Sequence, residues 1–258
     1  MASIKPRELD AAVCAEIVGE RVGGLVWTGS ELSWVDASAG LVRLGRLDSG
    51  RFRHVATLGV DGIAHAAAPT GAGWIVGGDP VHLRRDGRTT PLALPAATGL
   101  WSDPAGRLWL DAGGFRRVDL SGAVAETPGA QTFDAAWSPD TATVYRACPD
   151  GLVAHDFDLV NGTLGPQRVL LAARTRGVAV DDEGRVWAAT PDGVWRVDAE
   201  GGAHAVVRLP SATPVGCCFV GGTLLIATAE GAVHECAPGV RGRPSVRCAT
   251  TLPKAVTW

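Results

Sequence analysis

Apolar and polar residues alternate along this chain in short runs, and turn residues separate the runs. In "RVGGLVWTGSELSWVDAS" (21–38), two alternating runs flank a Thr-Gly-Ser turn. Alternation of period two is the mark of a strand with one face inward, and Gly, Asp, Ser and Pro supply the turns. The same plan recurs in "VDGIAHAAAPTGAGWIVGG" (60–78), "ATGLWSDPAGRLWLDAGG" (97–114) and "TFDAAWSPDTATVYRACP" (132–149). It recurs again in "TRGVAVDDEGRVWAATPDG" (175–193) and "TPVGCCFVGGTLLIATAEG" (213–231). Aligned near the start of each first strand, the copies have anchors at Gly23, Asp61, Thr98, Phe133, Arg176 and Val215. Their spacing, roughly 40 residues, is the period of a β-propeller with about four strands per blade. Six copies predict an all-β, six-bladed β-propeller.

Between the copies lie further paired runs, such as "GLVRLGRLDSGRFRHVATL" (40–58) and "GVWRVDAEGGAHAVVRLP" (193–210), which read as the two outer strands of a blade. No stretch carries the 3.6-residue period of an amphipathic helix. The ring has to close. The simplest closure makes residues 1–258 one propeller domain, with "DAAVCAEIVG" (10–19) and "SVRCATTLP" (245–253) in the last blade and the N-terminal run as its outer strand. Trp34, Trp74, Trp109 and Trp187 hold the same place in the second strand of their copies. Large rings at a repeated position read as packing between blades.

Composition narrows the function classes. The formal net charge is −3 and no basic run tracks a phosphate backbone, so nucleic acid is not an expected partner. No apolar stretch reaches the ~20 residues of a membrane span. The N-terminal residues carry Glu8, Asp10, Glu16 and Glu20 with no apolar signal core, so a cytoplasmic protein is expected. The six cysteines form no C-x-x-C pair and no zinc spacing, and free thiols are expected. A monomer or weak dimer is the expected state.

The pieces "DPAGRLWL", "AAWSPDTATVY", "HDFDLVNGTLGPQRVL" and "GVAVDDEGRVWAA" resemble the gluconolactonase and senescence-marker-protein (regucalcin) family. The likeness extends through "RVGGLVWTGSELSWVDASAGLVRL" and "RLPSATPVGCCFVGGTLLIATA" and covers most of the chain in the family's order. The resemblance implies six blades and hydrolysis of sugar lactones or related esters with one divalent metal. It places that metal on an acid at the first anchor, an Asn at the fourth and an Asp at the fifth, with an Asn for substrate at the third. Here those places hold Gly23, Phe133, Arg176 and Thr98. None of the three ligand places offers a donor for a divalent ion, so neither a metal nor another cofactor is expected.

The anchors are expected to line one mouth of the central channel. Asp61 and Arg176 then stand on copies two and five, opposite in a ring of six, with His65 on the same strand as Asp61 but deeper. Asp61 or His65 is a candidate general base and Arg176 a candidate oxyanion stabiliser. The other reading of Asp61 and Arg176 is a structural ion pair, and of His65 a core histidine. Thr98, Trp101 and Phe133 are candidate ligand contacts, Phe133 as a wall or as a plug. Asp111 and Arg146, at the ends of second strands, are expected to make the mouth polar, together with Asp36, Asp79, Thr190 and Thr228. Asp134 is expected to point between blades.

Three functions follow. One is an enzyme of lactonase ancestry that acts without metal on a lactone, ester or carboxylate, by hydrolysis, cyclisation or isomerisation. The second is a ligand-binding or regulatory propeller without turnover. The third is a metal-dependent lactone or ester hydrolase with other ligands. No G-x-S-x-G elbow or phosphate loop adds a further class.

Overall fold

The computed structural model describes residues 5–14, 17, 19–48, 51–60, 62–127 and 131–253. Among them there is no helix, and the strands form six sheets of four or five strands. Blades 1 to 6 are numbered in chain order. Their innermost strands are Val22–Trp27, Ala66–Thr70, Gly99–Ser102, Asp134–Trp137, Gly177–Val180 and Pro214–Val220. Each packs against the next, and the sixth packs against the first, which closes the ring. The architecture is a six-bladed β-propeller, as the period predicts.

Within a blade, successive strands pair antiparallel through tight turns. The turns in "DPAGR" and "DDEGR" need a left-handed residue, and Gly106 (φ 83°) and Gly184 (φ 81°) supply it. Each of these turns is organised by its first residue. Asp181 Oδ1 accepts the Glu183 and Arg185 N–H groups, while Oδ2 accepts Trp187 Nε1 at 3.0 Å and Arg196 Nε at 2.8 Å. Asp103 repeats the device with the N–H groups of Ala105 and Arg107 and with Trp109 Nε1 at 3.0 Å. In this way each turn fixes the indole of the next strand.

The four repeated tryptophans are buried where blades meet. Trp34 packs with Val220 and Leu225 of blade 6, and Trp74 with Val35 and Val42 of blade 1. Trp109 packs with Ala135 and Val144 of blade 4, and Trp187 with Phe219 and Leu224 of blade 6. Burying an aromatic ring of this size contributes about 2–3 kcal/mol, so the seams between blades carry much of the stability.

Ala12–Val13 pairs antiparallel with Val233–Cys236 as the outer strand of blade 6. Arg7–Leu9 adds a parallel fifth strand to blade 5 along Ala203–Val207. Residues 245–253 are not in the last blade, contrary to expectation. After Cys236 the chain instead crosses the end of the channel as a strap. Its Gly242 N–H donates to Gly221 O of blade 6, and its Arg241 O accepts from Asp182 N of blade 5. Arg243 donates to Pro139 O of blade 4 at 3.0 Å. Ser245 N then donates to Trp27 O of blade 1, Cys248 N to Pro69 O of blade 2, and Ala249 N to Gly106 O of blade 3. The strap therefore touches all six blades. Its sequence has no alternation because it pairs with the blades through isolated bonds, not through a ladder.

Candidate functional site

A cavity of about 310 Å³ runs along the propeller axis. Its walls come from the inner strands of all six blades, and strap residues Arg243–Val246 floor it. The inner strands run toward the floor from the opposite end, so the residue just before each strand sits at the rim. Four rim residues share one backbone contact. His65 N donates to Gly77 O, Thr98 N to Asp111 O, Phe133 N to Ala147 O and Arg176 N to Ala189 O, at 2.8 to 3.0 Å. These positions are structurally equivalent, and all four line the cavity.

This register corrects the second copy. The rim residue of blade 2 is His65, not Asp61, which lies outside the described residues. His65 does not sit deeper along a strand: it is exposed and immediately precedes Ala66–Thr70. It stands opposite Arg176 in the ring.

The second-strand ends do not make the mouth polar. Asp36, Asp111, Arg146, Thr190 and Thr228 are buried, Asp79 is exposed, and none of them lines the cavity. These strands lie one step out from the axis, so their ends pack into the seams. Asp111 accepts the Thr98 hydroxyl at 2.7 Å and the Thr132 N–H at 3.2 Å. Arg146, fully buried, donates to Thr132 Oγ1 and lies 4.6 Å from the Phe115 ring centroid. It also meets His155 Nε2 at 3.2 Å, while His155 Nδ1 donates to Gly165 O at 3.0 Å. Burial lowers the His155 pKa, so Nε2 is a neutral acceptor. Asp111 and Arg146 are therefore members of a network in the seam between blades 3 and 4 and do not line the cavity.

Trp101 and Phe133 do line the cavity. The indole of Trp101 folds back over Gly99, where an added Cβ would come within 2.1 Å of the ring. Glycine at that position is what permits this pose. Phe133 is half-buried and forms part of the wall, with the cavity open beside it. Its ring carries two guanidinium groups, Arg174 at 5.6 Å and Arg176 at 5.1 Å from the centroid. The pKa of Arg176 is lowered, first by burial and then by the like charges of Arg174 and Arg21.

Asp134 is the wall residue that the sequence reading undervalues. Its carboxylate does reach between blades, but it does so along the cavity wall. Oδ1 accepts Trp101 Nε1 of blade 3 at 2.9 Å and Oδ2 accepts the Val178 N–H of blade 5 at 2.9 Å. Burial pushes its pKa up to about 6, against the pull of those N–H donors. The available signal is an acid opening an inner strand, at the position after a rim residue. Cys217 and Cys218 also line the wall, and burial raises both thiols, Cys218 to about 12. They stay protonated near neutrality and are poor nucleophiles. Cys148 is buried with a raised pKa and is not on the wall.

Several solved structures share this architecture. The calcium-binding protein regucalcin of Agrobacterium tumefaciens superposes with a TM-score of 0.80 at 20% identity, covering 94% of this chain and 99% of that one. A gluconolactonase of Xanthomonas campestris gives 0.71 at 18% identity, covering 88% and 90%. A putative gluconolactonase gives 0.74 at 17% identity, covering 91% and 93%. No curated protein matches the sequence. At these identities the structures speak for the fold. The family is shown by the match of residues 23–230 to the model of the SMP-30/gluconolactonase/LRE-like region. That match spans every rim residue described above, and the chain belongs to the SMP-30/gluconolactonase/LRE-like family.

Proposed function

We propose that this protein hydrolyses a small lactone or ester at the rim of its axial cavity, without the divalent ion of its family. Family membership supports a lactonase-type enzyme. The observation that carries the finer reading is the register that sets His65 and Arg176 at equivalent rim positions of opposite blades, with the cavity between them. The donor set argues against the ion. Glycine at position 23 has no side-chain donor, the Phe133 ring is covered by two guanidinium groups, and Arg176 adds a positive charge. Among the described residues no three His, Cys, Asp or Glu side chains converge on one point.

In this reading a water attacks the acyl carbon and His65 takes its proton. The carbonyl oxygen becomes an oxyanion facing Arg176. The acyl C–O bond then breaks, and the leaving alkoxide takes the proton back from His65. Trp101, Phe133 and the apolar wall hold the body of the substrate.

The experiment is turnover of δ-valerolactone and aryl esters by protein treated with EDTA. Activity should persist in the chelator. His65→Ala should lower kcat/KM about 100-fold or more, and Arg176→Ala by about 100-fold. Activity that vanishes in EDTA and returns with calcium, zinc or manganese would overturn the metal-free reading. A second reading, binding without turnover, is favoured by Asp134, the carboxylate on the wall, being already engaged by N–H donors. It predicts a ligand recovered chemically unchanged after long incubation.

A further inference from the structure

The rim carries more positive charge than oxyanion stabilisation needs. Arg174 and Arg176 lie on the Phe133 ring, 5.6 and 5.1 Å from its centroid. Arg21 immediately precedes the inner strand of blade 1, whose Gly24–Val26 segment lines the cavity. Among the described residues, none of the three takes part in an ion pair or a side-chain hydrogen bond. Most other arginines are engaged. Arg43, Arg46, Arg107, Arg168, Arg185 and Arg196 each hold a carboxylate. Arg7, Arg51 and Arg88 on outer strands and Arg241 on the strap are likewise unpaired among the described residues, but those four are scattered, whereas Arg174 and Arg176 share one ring and Arg21 raises the local positive charge on Arg176.

There is room beside them. Blade 6 stands between Arg176 on blade 5 and Arg21 on blade 1. Early in its inner strand blade 6 has Val215 and Gly216, which line the cavity, and early in its own blade 1 has Gly23. A Cβ added at Gly23 would meet nothing within 4 Å, and at Gly216 nothing closer than 3.9 Å. The two glycines leave the backbone uncovered there, on and beside the blade that separates Arg176 from Arg21. Like charges held together in this way repel one another, and a bound anion removes that repulsion while taking charge-assisted hydrogen bonds. Phe133 presents the forks of Arg174 and Arg176 from a fixed platform, so less freedom is lost when they bind.

We propose that Arg21, Arg174 and Arg176 form a binding site for the anionic group of the ligand, so that the natural substrate is an organic anion bearing a carboxylate or phosphate apart from the bond that breaks. This rests on the reading of the cavity as a substrate site but makes a separate statement about it. Arg176 serves both the anion and the reacting oxygen, whereas Arg21 and Arg174 serve the anion alone.

The test is calorimetric titration of the full chain with glutarate, with inorganic phosphate and with neutral δ-valerolactone at about 20 mM ionic strength. Glutarate or phosphate should bind, and its affinity should fall as salt is added. The double variant Arg21→Gln/Arg174→Gln should bind that anion about tenfold more weakly or worse. All three sites are exposed, so the variant should keep the parent's melting temperature, which is checked alongside. Arg174→Lys keeps the charge but loses the planar fork, and should fall between parent and double variant. The inference is overturned if neither anion binds the parent, or if the double variant binds as tightly as the parent. His65→Ala separates the two readings. If it abolishes turnover and keeps anion binding, both stand. If the parent turns over δ-valerolactone but binds no anion, the catalytic reading stands and this one fails. If anions bind but no ester is turned over, this one stands alone.

Discussion

At the scale of single residues, Asp134 shows how one carboxylate can couple neighbouring blades. It accepts an indole N–H from blade 3 and a backbone N–H from blade 5, and sits on blade 4 itself. Its pKa of about 6 lies above the ordinary 3.8, so the folded state favours the protonated form. The sign follows by linkage: the stabilisation is complete below pH 3.8 and is lost as pH rises through about 6. The size is at most about 3 kcal/mol. Chemical unfolding at pH 4.5 and pH 7.5 should show this component, and Asp134→Asn should remove most of it. A slope that is unchanged in the variant would assign the pH dependence to other groups. The sequence placed Asp134 between blades correctly but missed its contact with the cavity. Residue order fixes which strand face a side chain takes, not how far an indole from the next blade reaches toward it.

Turns and strands show what alternation can and cannot reveal. The D-x-x-G-R-x-W stretches of blades 3 and 5 are legible as turns, and their glycines adopt the expected positive φ. Less visible is that each leading aspartate is a buried hub. Asp181, with 0% exposure, takes two turn N–H groups, the Trp187 indole and Arg196. Asp181→Ala would strand a buried indole N–H and leave Arg196 without its buried partner, at a cost of about 3–5 kcal/mol. Thermal unfolding monitored by tryptophan fluorescence would report it. The exposed pair Arg168–Asp156 is the control, and Asp156→Ala should cost under about 1 kcal/mol. The misplaced anchor in blade 2 has a similar physical origin. Its inner strand, Ala66–Thr70, is three alanines, a proline and a threonine, with no large residue to mark its start. The turn signal at Asp61-Gly62 therefore reads as the strand's beginning, four residues too early. Where a larger side chain stands at the rim, at Phe133 and Arg176, the register is legible.

Across the whole molecule, closure depends on two pieces of chain far apart in sequence. The N-terminal pairing of Ala12–Val13 with blade 6 was legible, because an incomplete last blade leaves an edge to be covered. The strap was not, because isolated bonds to six different sheets leave no periodic trace. Its backbone amides pair with blades 6, 1, 2 and 3, and Arg241 O and Arg243 reach blades 5 and 4. At about 1 kcal/mol per hydrogen bond, removing residues 241–258 should cost on the order of 5 kcal/mol. For a chain of this size that lowers the melting temperature by about 10 °C or more. Differential scanning calorimetry of the truncated protein checks it. Unchanged stability would mean that the blades lock without the strap.

Strap residues Arg243–Val246 line the end of the cavity away from the rim, so a molecule bound there would be expected to enter and leave by the rim. On the proposed reading, a product formed there would depart past the arginines. A hydrolysis that creates a new carboxylate would thus leave its product facing a cationic gate, and that product should inhibit competitively, raising the apparent KM as it accumulates.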